Sequence, residues 1–229
     1  MPSRPFVTLA VVLAAVMILI GLAVAVGAGV TDPFDAAIIE LVRSEALRGL
    51  LAPLRWVTEL GSTVAVTVVA VLVLVVGVLL GKGRAGAIGA LVIGGASIGN
   101  TLLKLTTARA RPDLLDAIVQ EHGFSFPSGH SMLGMVAYGI LAVMVARSAL
   151  PSAARRGIGV ALGLLIALIG LSRIWLGVHY PTDVLAGWTA GGVLVVVYAA
   201  ITTSASTARG AEVADEDRAA PRSDPPAPG

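Results

Sequence analysis

Three cations, two histidines and one carboxylate occur in this chain where charge is costly, at the ends of very apolar stretches. They fall in three short runs: Lys104-x6-Arg111-Pro112, Pro127-Ser128-Gly129-His130 and Ser172-Arg173-x5-His179-x3-Asp183. An ionisable residue near a membrane core is a functional hypothesis by default. The chemistry these residue types could share is phosphoryl transfer. A transferring phosphoryl group spreads negative charge over three equatorial oxygens, and its catalysis is mostly positioning and electrostatic stabilisation. Arg111 and Arg173 offer forks that suit phosphate oxygens bidentately, and Lys104 offers a point charge. Taken singly, each could be a snorkelling interfacial cation. Arg173, set between Ser172 and Ile174 in an apolar run, fits that reading worst.

Ser128 is a good helix N-cap, and Gly129 lets backbone approach a ligand closely. The free N–H groups of a helix start make an anion site. Ser128 and Gly129 are therefore expected to hold phosphate oxygens by hydroxyl and backbone, against the plainer reading of a capped helix start. A histidine can carry the phosphoryl group covalently on its way to water. Its imidazole then needs one nitrogen free and the other held by an acceptor. Asp183 lies four residues after His179, with Pro181 suited to the first helical position between them. A carboxylate in that first turn is favoured, and it can reach back to the ring and fix its tautomer. His130 remains to protonate the leaving oxygen. His122 belongs to no cluster and reads as a loop residue. His130, His179 and Asp183 could instead surround a metal. That reading leaves three cations without a purpose and sets them against a divalent ion, so no metal and no cofactor are expected.

The elements that must position these residues are membrane helices. Of 229 residues, 56% are hydrophobic and 13% charged, where soluble domains carry about 25% charged residues. Mean hydropathy is +0.91. The net charge of +2 is too small to argue for a nucleic-acid partner, and the pI of about 9.4 reflects a slight excess of arginine. There are no cysteines, which excludes disulfides and thiolate metal sites. Six stretches near the spanning length of about 20 residues run over 6–30, 57–80, 85–105, 131–146, 158–178 and 184–202. The first is too long for a signal peptide and reads as an anchor helix. Residues 31–56 mix charges with apolar residues at helical spacings, which predicts an amphipathic helix or helix pair in the interface rather than a plain loop. The expected fold is all-α: a six-helix membrane domain over 1–203, and a disordered cytoplasmic tail over 204–229. Small-xxx-small pairs such as Gly95/Gly99 and Gly187/Gly191 fit close helix packing within the monomer better than dimerisation.

Short-loop cations set the orientation. Arg4, Lys82, Arg84, Arg147, Arg155, Arg156 and the tail arginines fall on one side, which is then cytoplasmic with both termini. Arg43, Arg48 and Arg55 fall on the other, together with the motif cations, including Arg109, which chemistry explains. All three runs converge on that outer face of the cell membrane.

In this order the three runs resemble the signatures of the type-2 phosphatidic acid phosphatase superfamily, which includes vanadium haloperoxidases and bacterial lipid phosphatases. The match is complete at every signature position from Lys104 to Asp183, about a third of the chain. The six-span layout resembles the integral-membrane branch. The resemblance implies His179 as a nucleophile forming a phosphohistidine, Asp183 as its partner and His130 as general acid. It implies Lys104, Arg111, Ser128, Gly129 and Arg173 as phosphate ligands, and no metal. The expected substrate is a lipid phosphate or diphosphate, with an undecaprenyl or other polyprenyl diphosphate suiting an external site best. Phosphatidic acid, phosphatidylglycerol phosphate and polyprenyl-phosphate sugar phosphates are alternatives. Six spans argue against a soluble-type haloperoxidase, and an intact His179, Asp183 and His130 argue against a non-catalytic transporter.

Overall fold

The computed structural model describes residues 4–44, 49, 51–112 and 121–219. Among the described residues the regular elements are all helices. They are α1 (Arg4–Gly27), α2 (Asp32–Val42), α3 (Leu51–Glu59), α4 (Thr63–Leu79), α5 (Gly83–Thr107), α6 (Gly129–Ala146), α7 (Ser152–Trp175) and α8 (Pro181–Ala219). α4 is rich in valine, which in water would favour a strand. In hydrocarbon every backbone polar group must be satisfied within the segment, and a helix does this.

Five helices are long and apolar enough to cross a membrane, and the pair Pro53–Glu59 and Thr63–Leu79, bent by 50°, is long and apolar enough when its two parts are taken together. The chain is thus a multi-pass membrane protein, as its composition predicts. At the bend the Ser62 hydroxyl caps α4 by accepting from Ala65 N at 3.3 Å. The Tyr138 hydroxyl donates to the Leu60 carbonyl at 2.8 Å, which satisfies a group the bend frees.

The segment before that span differs from the expectation of an interfacial helix or helix pair. α2 alone is the short amphipathic helix; α3 is the broken entry to the second span, and 45–48 lie outside the described residues. Pro33 and the first-turn acids Asp32 and Asp35 start α2. Its apolar face packs through Val42, Ile38 and Ile39 on Ile174, Trp175 and Val184 of α7 and α8. At the other terminus, α8 continues as helical backbone to Ala219, where the sequence reading expects no fixed structure from 204; residues 220–229 lie outside the described residues.

α6 is the central helix. Its Val136, Ala137 and Ile140 are fully buried in the main apolar cluster, with Val66, Val73, Ile93 and Tyr198 from neighbouring helices around them. α8 packs closest on α6 because two glycines face it. A Cβ at Gly187 would stand 2.7 Å from the Ser128 carbonyl oxygen, and one at Gly191 2.8 Å from that of Met132. The Gly187/Gly191 pair is therefore a packing seam. Gly95/Gly99 is not: an added Cβ meets nothing at the first and only Met132 Cε at 4.0 Å at the second. α1 and α4 turn large apolar side chains outward, among them Leu9, Leu13, Met17, Val64, Val68 and Leu72, toward where lipid would lie.

Candidate active site

The end of α5, the start of α6, the end of α7 and the start of α8 meet at one end of the bundle, and α2 lies over them. The helices alternate in direction, so run ends far apart in sequence become neighbours. Ser128 N donates to the Asp183 carbonyl at 3.0 Å, which ties the start of α6 to the start of α8.

His179 sits in the short turn between α7 and α8 and is 1% exposed. Its Nδ1 lies 3.3 Å from Asp183 Oδ2, the reach-back that the four-residue spacing predicts. Ser125 Oγ donates to the same carboxylate oxygen and lies 3.3 Å from His179 Nδ1. Tyr180 N donates to Asp183 Oδ2 at 2.9 Å, and Arg109 Nη1 meets Oδ1 at 2.8 Å. A carboxylate so saturated is held fixed and ionised, and it assigns the ring proton to Nδ1. Burial pushes the His179 pKa down to about 3, outweighing the Asp183 charge that favours the cation. The ring is neutral at physiological pH, and Nε2 carries the lone pair.

That nitrogen faces cations. Arg111 Nη1 lies 3.1 Å from His179 Nε2 and donates to the Val178 carbonyl at 2.9 Å. Burial lowers the Arg111 pKa although Asp183 acts the other way, and the group stays charged at neutral pH. Arg173 is 1% exposed and donates from Nη1 to Thr58 Oγ1 at 2.7 Å. Its Nε is buried without a hydrogen-bond partner among the described residues. Lys104 Nζ donates to the Phe124 carbonyl at 2.5 Å and lies within electrostatic reach of Arg111, Arg173 and Asp183. Glu121 joins the two arginines: its carboxylate pairs with Arg173 Nη2 and stands 3.1 Å from Arg111 Nη1. Among the described residues His122 contributes its carbonyl, which accepts from Arg111 Nη2 at 3.3 Å.

On α6, Ser128 occupies the N-cap position but makes no side-chain cap bond. It is fully buried, its N–H is taken by Asp183 and its hydroxyl accepts from Ser131 at 2.9 Å. The orphan N–H groups of Gly129 and His130 are thus the helix-start donors left for an anion. A Cβ at Gly129 would stand 3.1 Å from Asn100 Oδ1, so the glycine also admits α5. His130 lies within electrostatic reach of Glu59, Arg111 and Lys104. Among the described residues no group of three His, Asp or Glu side chains is arranged to hold a metal ion.

The sequence reading missed Asp35, Ser125 and Glu121, and it counted Arg109 among the motif cations without giving it a place in the site. Arg109 bridges Asp183 to Asp35 of α2, with Nη2 2.7 Å from Asp35 Oδ2, and its guanidinium stacks 3.9 Å over the Tyr180 ring. Burial acts to lower the Arg109 pKa, but Asp35 and Asp183 outweigh it and raise it. Asp35 also accepts from Thr182 N at 3.0 Å and Thr182 Oγ1 at 2.7 Å. Asp35 had one signal, an acid among the apolar residues of α2. Arg109 was visible inside the first run and Ser125 two residues before the second. Glu121 had none.

Residues 85–206 match the sequence profile described as the PAP2 superfamily. Phosphatidylglycerophosphatase B of Bacillus subtilis (strain 168) is 40% identical over 103 residues, 44% of this chain. The aligned stretch spans about half, 50%, of that curated relative's length. A crystal structure described as the first transmembrane PAP2 type phosphatidylglycerolphosphate phosphatase, from Bacillus subtilis, is 29% identical with a TM-score of 0.74, over 84% of this chain and 96% of that one. The crystal structure of Aquifex aeolicus LpxE, 21% identical with a TM-score of 0.52 over 73% of this chain and 91% of that one, shares the fold. With more than half its length inside that profile, and with its helices laid out as in the transmembrane Bacillus structure, the chain belongs to the PAP2 superfamily.

Proposed function

We propose that this protein is a metal-independent membrane lipid phosphatase acting through a phosphohistidine on His179. The observation that carries the reading is a neutral, buried imidazole held by Asp183 at Nδ1, with its Nε2 beside Arg111 and the Arg173 pocket. Nε2 attacks phosphorus as the bond to the lipid oxygen breaks, and His130 gives that oxygen a proton. Water then attacks the phosphohistidine, its proton returns to His130, and the nitrogen–phosphorus bond breaks to release orthophosphate. Lys104, Arg111, Arg173 and the helix-start N–H groups of α6 hold the phosphoryl oxygens. The lipid tail stays in the bilayer.

The site lies on the outer face of the cell membrane and both termini are cytoplasmic. This is supported by the excess of short-loop cations at the opposite end of the bundle. Among substrates, the names of the two Bacillus relatives favour phosphatidylglycerol phosphate. An external site favours a polyprenyl diphosphate such as undecaprenyl diphosphate as the second candidate. The test is phosphate release by the purified protein in detergent with chelator present, comparing these two lipids and phosphatidic acid. Release that His179→Ala abolishes is the expected result. Release that needs an added divalent metal would overturn the mechanism.

A further inference from the structure

Glu121 places a carboxylate where an anion of another kind belongs. It lies between α5 and α6, outside all three sequence runs, and its side chain is 23% exposed. Oε1 pairs with Arg173 Nη2. Oε2 lies 3.1 Å from Arg111 Nη1 and 3.9 Å from His179 Nε2. Two oxygens of one anion thus span both guanidinium groups and stop just beyond contact with the nitrogen that carries the lone pair. A phosphoryl group awaiting attack needs the same arrangement, with oxygens on the arginines and its centre opposite the imidazole. The carboxylate can neutralise the cations and cannot be transferred. Its presence also has a physical cause. A guanidinium as buried as Arg173 is costly without a counter-charge, and Asp183 is already committed to His179, Ser125, Tyr180 and Arg109.

The geometry points to Glu121 as a built-in competitor: its carboxylate occupies the phosphoryl pocket of the free protein, and phosphate binds only by exchanging with it. This rests on the reading of the pocket as a phosphate site. Binding that must first vacate a pocket is weakened by the fraction of molecules in which the pocket is open. The factor is a property of the protein, so it is the same for every anion that uses the pocket. The same exchange, run backwards, helps clear product orthophosphate from two arginines that would otherwise retain it.

The test titrates inorganic phosphate and vanadate into the purified full chain in detergent by calorimetry, with wild type, Glu121→Gln and Glu121→Asp. Glu121→Gln is expected to tighten both anions by one common factor, about tenfold for loss of a charge-assisted contact. Glu121→Asp keeps the charge but is too short to bridge both arginines, and it should behave like Glu121→Gln. Unchanged or weaker binding in Glu121→Gln would overturn the proposal, as would unequal factors for the two anions. Wild-type affinity in Glu121→Asp would also overturn it, because the charge would then act from a distance. If none of the three proteins binds either anion, the phosphate site itself falls, and the competitor with it.

Discussion

Arg173 and Arg147 lie at opposite ends of the same bundle. Arg173 is 1% exposed, shares Glu121 with Arg111 and leaves Nε without a partner among the described residues. Arg147 is exposed and spends its donors on Ala199 O at 2.9 Å, Thr202 Oγ1 at 2.7 Å and Thr203 Oγ1 at 2.6 Å. Around Arg147 the pattern repeats. Lys82 Nζ donates to the Arg147 carbonyl at 3.0 Å, and Arg155 reaches the Ala146 and Ser148 carbonyls at 3.4 Å each. Among the described residues none of these three pairs with a carboxylate. Here Lys82 and Arg155 close off the carbonyl oxygens at the end of α6, where positive charge is favoured, and Arg147 ties that end to oxygens along α8. At the other end buried cations are held in place by carboxylates, at the cost of desolvation. A cation count shows only which end holds the excess; burial and partner type show what the cations do there.

That difference can be broken, the most damaging change first. His179→Ala should lower phosphate release at least about a thousandfold with the melting temperature retained; sustained turnover would leave the buried end with no chemistry of its own. Arg173→Lys keeps the charge and loses the fork. It should cost about a hundredfold in kcat/KM, and a change under threefold would show that charge alone suffices. Asp35→Asn leaves Arg109 with only the longer pairing to Asp32, at 3.6 Å, as its ion pair to α2 and loosens Asp183. The expected loss is about tenfold in kcat with KM nearly constant, and an effect confined to thermal stability would reduce the clamp to packing. Arg147→Gln at the opposite end should leave kcat/KM within about twofold and lower the melting temperature by about 2–4 °C; a large loss of activity would couple the two ends. Smallest of all, the His179 ring should show neutral nitrogen chemical shifts between pH 8 and 5. Its folded pKa is depressed to about 3 while an unfolded histidine protonates near 6.5. The unfolded chain therefore binds the extra proton, and this group lowers stability as pH falls from about 6.5 toward 3. A cationic ring at pH 6 would contradict the burial argument.

The sequence showed much of this because its signals are local. His179 and Asp183 are four apart, and a helix start between them is enough to predict their contact. Lys104, Arg111, His130 and Arg173 were placed on one face by span counting alone. Asp35 was harder. It acts on Asp183 through Arg109, which lies 74 residues from each of them, and its one local signal, an acid among the apolar residues of α2, is weak in a segment with several charges. The sequence reading has Ser128 and Gly129 hold phosphate oxygens by hydroxyl and backbone; of the backbone donors there, the Ser128 N–H is spent on the Asp183 carbonyl. That detail depends on how α6 and α8 cross. Gly187/Gly191 and Gly95/Gly99 have the same spacing, and only the three-dimensional neighbour separates a seam from a lipid-facing coincidence.

The seam between α6 and α8 also has a mechanical consequence. Helices in contact at backbone distance, with Ser128 and Asp183 joined above them, cannot slide past one another. A bilayer that thickens or thins is accommodated by tilt, at a cost of fractions of a kcal/mol per Å. α1, the least buried of the spans, turns large apolar side chains such as Leu9, Leu13 and Met17 outward and can take up that tilt. His130 and His179 are thereby insulated from the membrane's elastic state, and the proposed phosphate release should keep its rate in bilayers of different thickness.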